Sequence, residues 1–222
     1  MTRSTLRHLF SLALTILVFS IYMIGLTSCT LDSEVVDSAS VQDPLDPASV
    51  DQTSVDPESG WSTPVVVGRE LENCVSYRAR IQGEYLVVEA SHGSGWHTYA
   101  LDNEIRAEEM LAGQESLGVE LPTSFEVRGA KVVGPWLQTE PEDLSEVDIQ
   151  WYTFGFSDTA TFAAKIQDVG TTPIVIGVRG QVCNADICRD IEIDVRLDPT
   201  IDWSSLAFDP QALVPIRTRA PK

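Results

Sequence analysis

The chain has 222 residues and a formal net charge of −18, from 15 Lys and Arg against 33 Asp and Glu. Nucleic acids and anionic membrane surfaces are bound through basic faces, so this balance argues against both kinds of binding protein. Hydrophobic residues make up 43% of the chain and charged residues 22%, which is ordinary for a globular protein and excludes disorder along its whole length.

The first 28 residues have the features of a secretory leader. Arg3 and Arg7 precede an uncharged run of 18 residues, 9–26, which is followed by two small residues and Cys29. The Leu-Thr-Ser-Cys ending resembles the bacterial lipobox, so we predict a lipoprotein signal peptide over 1–28 and acylation of Cys29. The alternative is an uncleaved transmembrane anchor, because a run of about 18 apolar residues can span a bilayer. Both interpretations place the rest of the chain outside the cytoplasm.

Residues 29–60 are acidic, contain no Lys or Arg, and include repeated Asp-Pro pairs. Such a segment buries too little apolar surface to offset the entropy lost on ordering, and its charges repel one another. We therefore predict a flexible, disordered tether that lifts a single domain, residues 61–222, off the membrane. The alternative is a binding tail for a basic partner.

The domain itself is predicted to be all-β. Short runs of β-branched and aromatic residues, separated by turn residues, predict strands at Thr63–Gly68, Cys74–Ile81, Tyr85–Ser91, Trp96–Leu101, Ser124–Val127, Asp148–Phe156, Thr159–Ile166, Pro173–Val182 and Cys188–Leu197. Only Asn103–Ala112 predicts a helix, residues 138–146 predict a long acidic loop, and residues 198–222 predict an extended C-terminal tail with a turn or two. This spacing favours an immunoglobulin-like β-sandwich with one short helical insert.

The cysteines are the most informative residues. Cys183 and Cys188 flank four residues between two predicted strands, so a hairpin would place them opposite each other, within disulfide distance. The loop that such a bond closes is short, so its stabilising effect is small, whereas a hairpin tip is accessible to an attacking thiolate. Spacing alone leaves a redox pair and a stabilising disulfide equally open. Cys74 is interpreted as a small buried hydrophobe, with pairing to another protein as the alternative.

A zinc site is a further alternative to a disulfide between Cys183 and Cys188. His92 and His97 could in principle join Cys183 and Cys188 in a tetrahedral zinc site. Zinc-bound thiolates and a redox disulfide are mutually exclusive, and a histidine on a strand is more often a surface or core residue. We therefore expect no metal and no cofactor.

Three segments carry a family resemblance. Residues 95–99 (Gly-Trp-His-Thr-Tyr) match a Gly-aromatic-x-x-Tyr strand, residues 121–125 resemble a Pro-led strand, and residues 180–184 with Cys188 match a Gln-x-Cys…Cys hairpin. In these segments the chain resembles the N-terminal periplasmic domain of the thiol:disulfide interchange protein DsbD, over residues 65–197. The loop between the cysteines has four residues here and five in the family form, and Arg189 and Asp190 follow where the family has an aromatic residue and prolines.

The resemblance implies an immunoglobulin-like domain that passes electrons by thiol–disulfide exchange, with Cys188 as the attacking thiol and Cys183 as the resolving one. It implies thioredoxin-fold proteins of the periplasm as partners and a separate membrane thiol transporter as the electron source. The cysteine pair is expected to be surrounded by Trp96, Tyr99, Gln181 and Arg189. The rival hypothesis is a non-catalytic immunoglobulin-like lipoprotein that binds a partner and uses the disulfide structurally.

Overall fold

The computed structural model describes residues 55–56, 60–69, 71–114, 120–170, 172–198 and 208–219. The predicted signal peptide, the acylated Cys29 and most of the predicted tether lie outside the described residues, as do residues 199–207 of the predicted tail. Within the described part of the chain, no helix is both long and apolar enough to cross a bilayer.

The described elements are almost all strands. They are β1 (Val55–Asp56), β2 (Trp61–Ser62), β3 (Val65–Arg69), β4 (Glu72–Gln82), β5 (Tyr85–His92), β6 (His97–Tyr99), β7 (Ser124–Arg128), β8 (Lys131–Gln138), β9 (Glu142–Asp143), β10 (Phe154–Phe156), β11 (Thr159–Gln167), β12 (Ile174–Cys183), β13 (Cys188–Leu197) and β14 (Val214–Pro215). One helix, α1 (Asn103–Leu111), and two short 3₁₀ turns, Val147–Ile149 and Pro210–Ala212, accompany them.

Strands β1 and β2 form a small two-stranded sheet, and the other described strands form two antiparallel sheets packed face to face, as expected for an immunoglobulin-like β-sandwich. One sheet has the order β14-β8-β11-β5-β4-β3, and the other has the order β13-β12-β6-β10-β9 with β7 also paired to β12. Strand β12 pairs with β13 along one edge, and with β7 and then β6 along the other. The strand that ends at Cys183 is therefore internal, whereas β13, which begins at Cys188, is an edge strand.

The core lies between the two sheets because alternate side chains of each strand point inward. Phe162 is fully buried at its centre, with ring centroids of Phe125 and Phe156 at 5.1 and 5.4 Å. The other fully buried apolar side chains of this cluster include Val75, Tyr77, Leu86, Val88, Ile174, Ile176, Val178, Val182 and Val195. A second, smaller cluster lies around Trp61, Val87 and Ala163, against Phe208 and Leu213 of the C-terminal segment.

A buried carboxylate ties the helix, the sheet and the C-terminal segment together. Asp102 is 2% exposed, and its Oδ1 accepts hydrogen bonds from Arg106 Nε at 2.9 Å and Gln138 Nε2 at 2.7 Å. Its Oδ2 accepts a bond from the backbone N–H of Arg217 at 2.8 Å. Arg106 also reaches Glu140 on the surface, at 3.2 Å. The predicted helix α1 is thus anchored by the buried carboxylate of Asp102, both of whose oxygens accept hydrogen bonds.

Eight of the nine predicted strands form, with ends displaced by at most two residues, and the predicted helix is confirmed. The predicted strand Asp148–Phe156 is wrong in its first part. Val147–Ile149 is a 3₁₀ turn, and the chain folds back on itself through backbone bonds between Glu146 and Trp151, so only Phe154–Phe156 remains extended in the sheet.

Other differences concern strands that were not predicted. Strand β9 lies inside the predicted acidic loop 138–146 and pairs with β10. Strand β8 carries Gly134 and Pro135 in its middle, which hide its extended character in the sequence, yet it pairs with β11. Inside the predicted tether, Val55 and Asp56 pair with Trp61 and Ser62, so folded structure begins before residue 61. Of the predicted tail, the part from 208 to 219 contains one 3₁₀ turn and the short strand β14, which pairs with β8.

Candidate functional site

The two cysteines of the hairpin form a disulfide. β12 and β13 are aligned over ten register pairs from Ile174–Leu197 to Cys183–Cys188, and the last pair is the bonded one. The Cα atoms of Cys183 and Cys188 are 4.0 Å apart, slightly closer than the about 4.5 Å usual for non-hydrogen-bonded opposed residues in an antiparallel ladder. The sequence-based expectation that these residues oppose each other is therefore confirmed.

A four-residue turn sets the position of the disulfide. The backbone N–H of Asn184 donates to the carbonyl of Ile187 at 2.9 Å. The Asn184 side-chain oxygen accepts bonds from the N–H groups of Asp186 and Ile187, each at 2.9 Å. Asparagine favours such turns because its side chain satisfies the backbone donors two or three residues further on. The turn thus closes the hairpin directly above the cysteine pair.

The two sulfur-bearing residues have different environments. Cys183 is only 2% exposed, because β12 is flanked by β13 on one side and β6 on the other. Cys188 is exposed, since β13 is the edge of its sheet. A thiolate from another molecule can therefore approach the sulfur of Cys188 but not that of Cys183.

His97 lies on the other side of Cys183. Register pairs join Cys183 to Cys188 in β13 and to His97 in β6, so the three side chains form one row across the sheet. Directly opposed residues project from the same face. That face is the outer one, because the adjacent residues Val182 and Thr98, which point the opposite way, are fully buried on the inner side.

Tyr99 holds the His97 ring. Its hydroxyl oxygen is 3.1 Å from His97 Nε2, and the two rings meet edge to face with centroids 5.4 Å apart. Tyr99 is 2% exposed. Burial, together with the negative charge of Glu120, raises the pKa of the Tyr99 hydroxyl above its ordinary value, so the hydroxyl keeps its proton.

Gln181 also lies on this face, two residues before Cys183. Its side-chain oxygen accepts a bond from the N–H of Leu121, and its amide nitrogen donates to Asp190, both at 3.4 Å. These contacts fasten the loop before β7 and the edge strand β13 next to the disulfide. Gln181 therefore shares a face with the cysteine pair, and Tyr99 contacts His97 on that face.

Trp96 and Arg189 are placed differently from the expectation. Trp96 is 1% exposed and belongs to the core between the sheets. Arg189 is exposed and is the register partner of the buried Val182, so it projects from the face opposite to that of Cys188. The structure thus assigns Trp96 to packing and does not bring Arg189 to the outer face of the disulfide.

His92 does not complete a four-ligand site with His97 and the two cysteines, because its ring is engaged elsewhere. His92 Nε2 lies 2.8 Å from the Thr98 hydroxyl, and its Nδ1 contacts the carbonyl oxygen of Asp158. Burial lowers the pKa of His92 below its ordinary value. In the described ranges, no three His, Cys, Asp or Glu side chains are grouped so as to hold a metal ion.

Cys74, the third cysteine of the domain, is fully buried in the core and is not disulfide-bonded. Its interpretation as a small buried hydrophobe is confirmed.

His97 is the neighbour of Cys183 that the sequence analysis missed, because His97 was considered only as a metal ligand. The alternation of Trp96, His97, Thr98 and Tyr99 indicated that His97 and Tyr99 share a face, but nothing local indicated that β6 pairs with β12.

Comparisons with known proteins give distant likenesses only. No protein-family model matches the chain, and no curated protein is similar to it. Among solved structures, the N-terminal periplasmic domain of ScsB from Proteus mirabilis is similar with a TM-score of 0.46 and 14% identity, over 63% of this chain and 51% of that one. The chain thus spans about half the length of the ScsB domain.

Two structures from Neisseria meningitidis are also similar. The reduced N-terminal domain of DsbD has a TM-score of 0.39 and 11% identity, over 56% of this chain and 83% of that one. The complex between the DsbD and PilB N-terminal domains has a TM-score of 0.34 and 13% identity, over 68% and 91%. These likenesses concern the arrangement of strands and assign no activity.

Proposed function

We propose that this chain is an extracytoplasmic thiol–disulfide exchange protein that uses Cys183 and Cys188 as its redox pair. The observation that carries the proposal is the unequal exposure of the two cysteines in one disulfide, with Cys188 open and Cys183 shielded. An exchange protein needs one sulfur that a partner can reach and a second that closes the bond afterwards.

The geometry supports a definite order of events. A thiolate of a reduced donor protein attacks Cys188 Sγ, which forms a donor–Cys188 disulfide and releases Cys183 as a thiolate that takes up a proton. A second donor thiol then attacks the donor sulfur, which leaves Cys183 and Cys188 as a dithiol and the donor as a disulfide. Two electrons and two protons have passed to this chain.

The second half-reaction runs in the opposite sense. The Cys188 thiolate attacks the disulfide of an acceptor protein, forms a mixed disulfide, and expels one acceptor thiolate. Cys183 then attacks Cys188 Sγ, which restores the internal disulfide and releases the acceptor as a dithiol. No cofactor is needed, because both electrons move with the sulfur–sulfur bonds.

A purely stabilising role accounts less well for this position. The bond closes a loop of only six residues, for which chain entropy gives about 2 kcal/mol, and the strands it joins are already paired at nine further positions. Stabilising disulfides contribute more when they join parts of the chain that are far apart in sequence. The rival function, a non-catalytic lipoprotein with a structural disulfide, predicts a bond that resists exchange.

The location and the partners follow from the sequence rather than from the fold. The leader and Cys29 support a membrane-anchored lipoprotein outside the cytoplasm, with the acidic segment 29–60 as a tether between the lipid and the domain. A domain at that site must receive electrons from across the membrane, so we propose a separate membrane thiol transporter as donor. Thioredoxin-fold proteins of the periplasm are the proposed acceptors.

The test is a redox titration of the purified full chain. The wild-type disulfide should be opened by a thioredoxin-like dithiol with a potential of about −270 mV, and Cys74→Ala should titrate identically because Cys74 is buried outside the pair. A pair with a potential well below about −300 mV that resists this reductant would contradict the proposal and favour the structural role.

A further inference from the structure

Cys183 has a cross-strand neighbour on each side, and only one of them is a cysteine. Cys188 opposes it in β13, and His97 opposes it in β6. Directly opposed Cα atoms in an antiparallel pair are about 4.5–5.5 Å apart, and their side chains share a face. The imidazole of His97 and the shielded sulfur of Cys183 therefore project from the same face at directly opposed positions.

The His97 ring is held in a way that leaves one nitrogen for the sulfur. Nε2 is engaged with the Tyr99 hydroxyl at 3.1 Å, and the edge-to-face contact of the two rings restricts rotation. A hydroxyl accepts as well as donates, so Nε2–H can donate to the Tyr99 oxygen. In that tautomer Nδ1 carries a lone pair and is the nitrogen available to Cys183.

Burial keeps the imidazole of His97 neutral near pH 7. Burial lowers its pKa below the ordinary value, and the nearby carboxylate of Glu142 opposes this in part. The other titratable groups facing it are Tyr99, Cys183 and His92. A neutral imidazole beside a thiol can accept its proton.

We propose that His97 is the proton acceptor for Cys183 when the dithiol closes. The inference rests on the proposed exchange function. In the mixed disulfide at Cys188, the proton of the Cys183 thiol passes to His97 Nδ1 as Cys183 Sγ attacks Cys188 Sγ. The Cys183–Cys188 bond forms, the bond from Cys188 to the partner breaks with its electron pair on the partner thiolate, and His97 later gives the proton to water.

This role explains why a shielded sulfur can react at all. A thiolate is costly in a site with little water, because burial disfavours the charged form. Cys188 does not need such help, since its sulfur is exposed and meets solvent bases directly. His97 should thus affect only the steps in which Cys183 gains or loses its proton.

The test uses a reagent that reports the two sulfurs separately. The full chain carrying Cys29→Ser, purified in detergent and reduced, is mixed with 5,5′-dithiobis(2-nitrobenzoate) in a stopped-flow instrument. Attack by Cys188 releases the first coloured thiolate, and closure by Cys183 releases the second. Cys74 is buried and should not contribute to either phase.

We expect His97→Gln to leave the first phase unchanged and to slow the second by about tenfold or more at pH 7.5, because a general base is lost. The wild-type advantage should shrink towards one only as the pH falls through the lowered pKa of His97, which lies below the ordinary histidine value of about 6.5, because His97 is protonated there. Tyr99→Phe, which releases Nε2, should slow the second phase by a smaller factor. His92→Gln is the matched control and should change neither phase.

Equal second-phase rates in wild type and His97→Gln, or a rate ratio that is constant between pH 8 and pH 5, would overturn the proposal. Because the reagent replaces the protein partner, this outcome is independent of whether a thioredoxin-like dithiol opens the disulfide. A pair that closes normally with the reagent but resists that dithiol would contradict the proposed function while still deciding the role of His97.

Discussion

Cys183 and Cys188 are opposed in the same register pair, but Cys183 is 2% exposed whereas Cys188 is open to solvent. The difference arises from the sheet order, because β12 has neighbours on both edges at this point and β13 has one. The two sulfur-bearing residues of one bond therefore differ in accessibility, and single substitutions test the separate roles proposed for them.

Cys183→Ala should trap a partner. Without the resolving sulfur, a mixed disulfide formed at the exposed Cys188 cannot be closed internally, so it should accumulate with a thioredoxin-fold protein. Non-reducing gels followed by mass spectrometry of the adduct provide the measurement. Cys188→Ala is the control and should form little adduct; the reverse pattern would exchange the assigned roles.

Removing the disulfide should destabilise the domain only modestly. Because the closed loop is short, the double substitution Cys183→Ala with Cys188→Ala should lower the free energy of unfolding by about 2 kcal/mol or less. Phe162→Ala, in the centre of the core, should cost about 3–5 kcal/mol and provides a scale. Urea denaturation measures both values, and a loss from the cysteine pair as large as that from Phe162 would support a structural disulfide instead.

Asp102→Ala should be among the most destabilising single changes. It would leave the guanidinium of Arg106, 4% exposed, without its buried carboxylate and free the Gln138 amide and the Arg217 N–H, at a cost of about 3–5 kcal/mol. Glu140→Ala removes the other, exposed partner of Arg106 and should cost less than about 1 kcal/mol. Similar losses from both variants in urea denaturation would contradict the importance of the buried network.

His92 should make the domain less stable in acid. Because burial lowers the pKa of His92 in the folded state, the unfolded chain binds its proton more tightly. The contribution is present above the ordinary histidine pKa of about 6.5 and is lost as the pH falls through the lower folded value. The free energy of unfolding should therefore decrease more between pH 7.5 and pH 5 in the wild type than in His92→Gln. Identical pH dependence in the two proteins would show that His92 titrates normally.

Much of the sandwich could be predicted because its strands carry local signals. One such signal is the alternation of apolar and polar residues around Val75 and Tyr77. Another is the continuous extended pattern over the ten residues of β12 and of β13. The cysteine pair was likewise readable, since a four-residue gap between two strands allows few arrangements other than a hairpin.

The rest depended on contacts between distant segments. Strand β8 is extended because it pairs with β11 and β14, although Gly134 and Pro135 interrupt its pattern. The neighbourhood of Cys183 depends on the pairing of β12 with β6, which brings His97 to the disulfide and leaves Trp96 in the core. No short-range pattern specifies such partners, because they are set by the packing of the whole sandwich.

The side-chain amide of Asn184 helps to set how the two strands of the hairpin align. By fixing a turn of four residues, it sets the phase of β13 against β12. A slip of β13 by one residue against β12 would turn Cys188 towards the opposite surface from Cys183, and the bond could not form. The register of this hairpin therefore decides whether the two cysteines can bond at all, because they must occupy the same cross-strand pair.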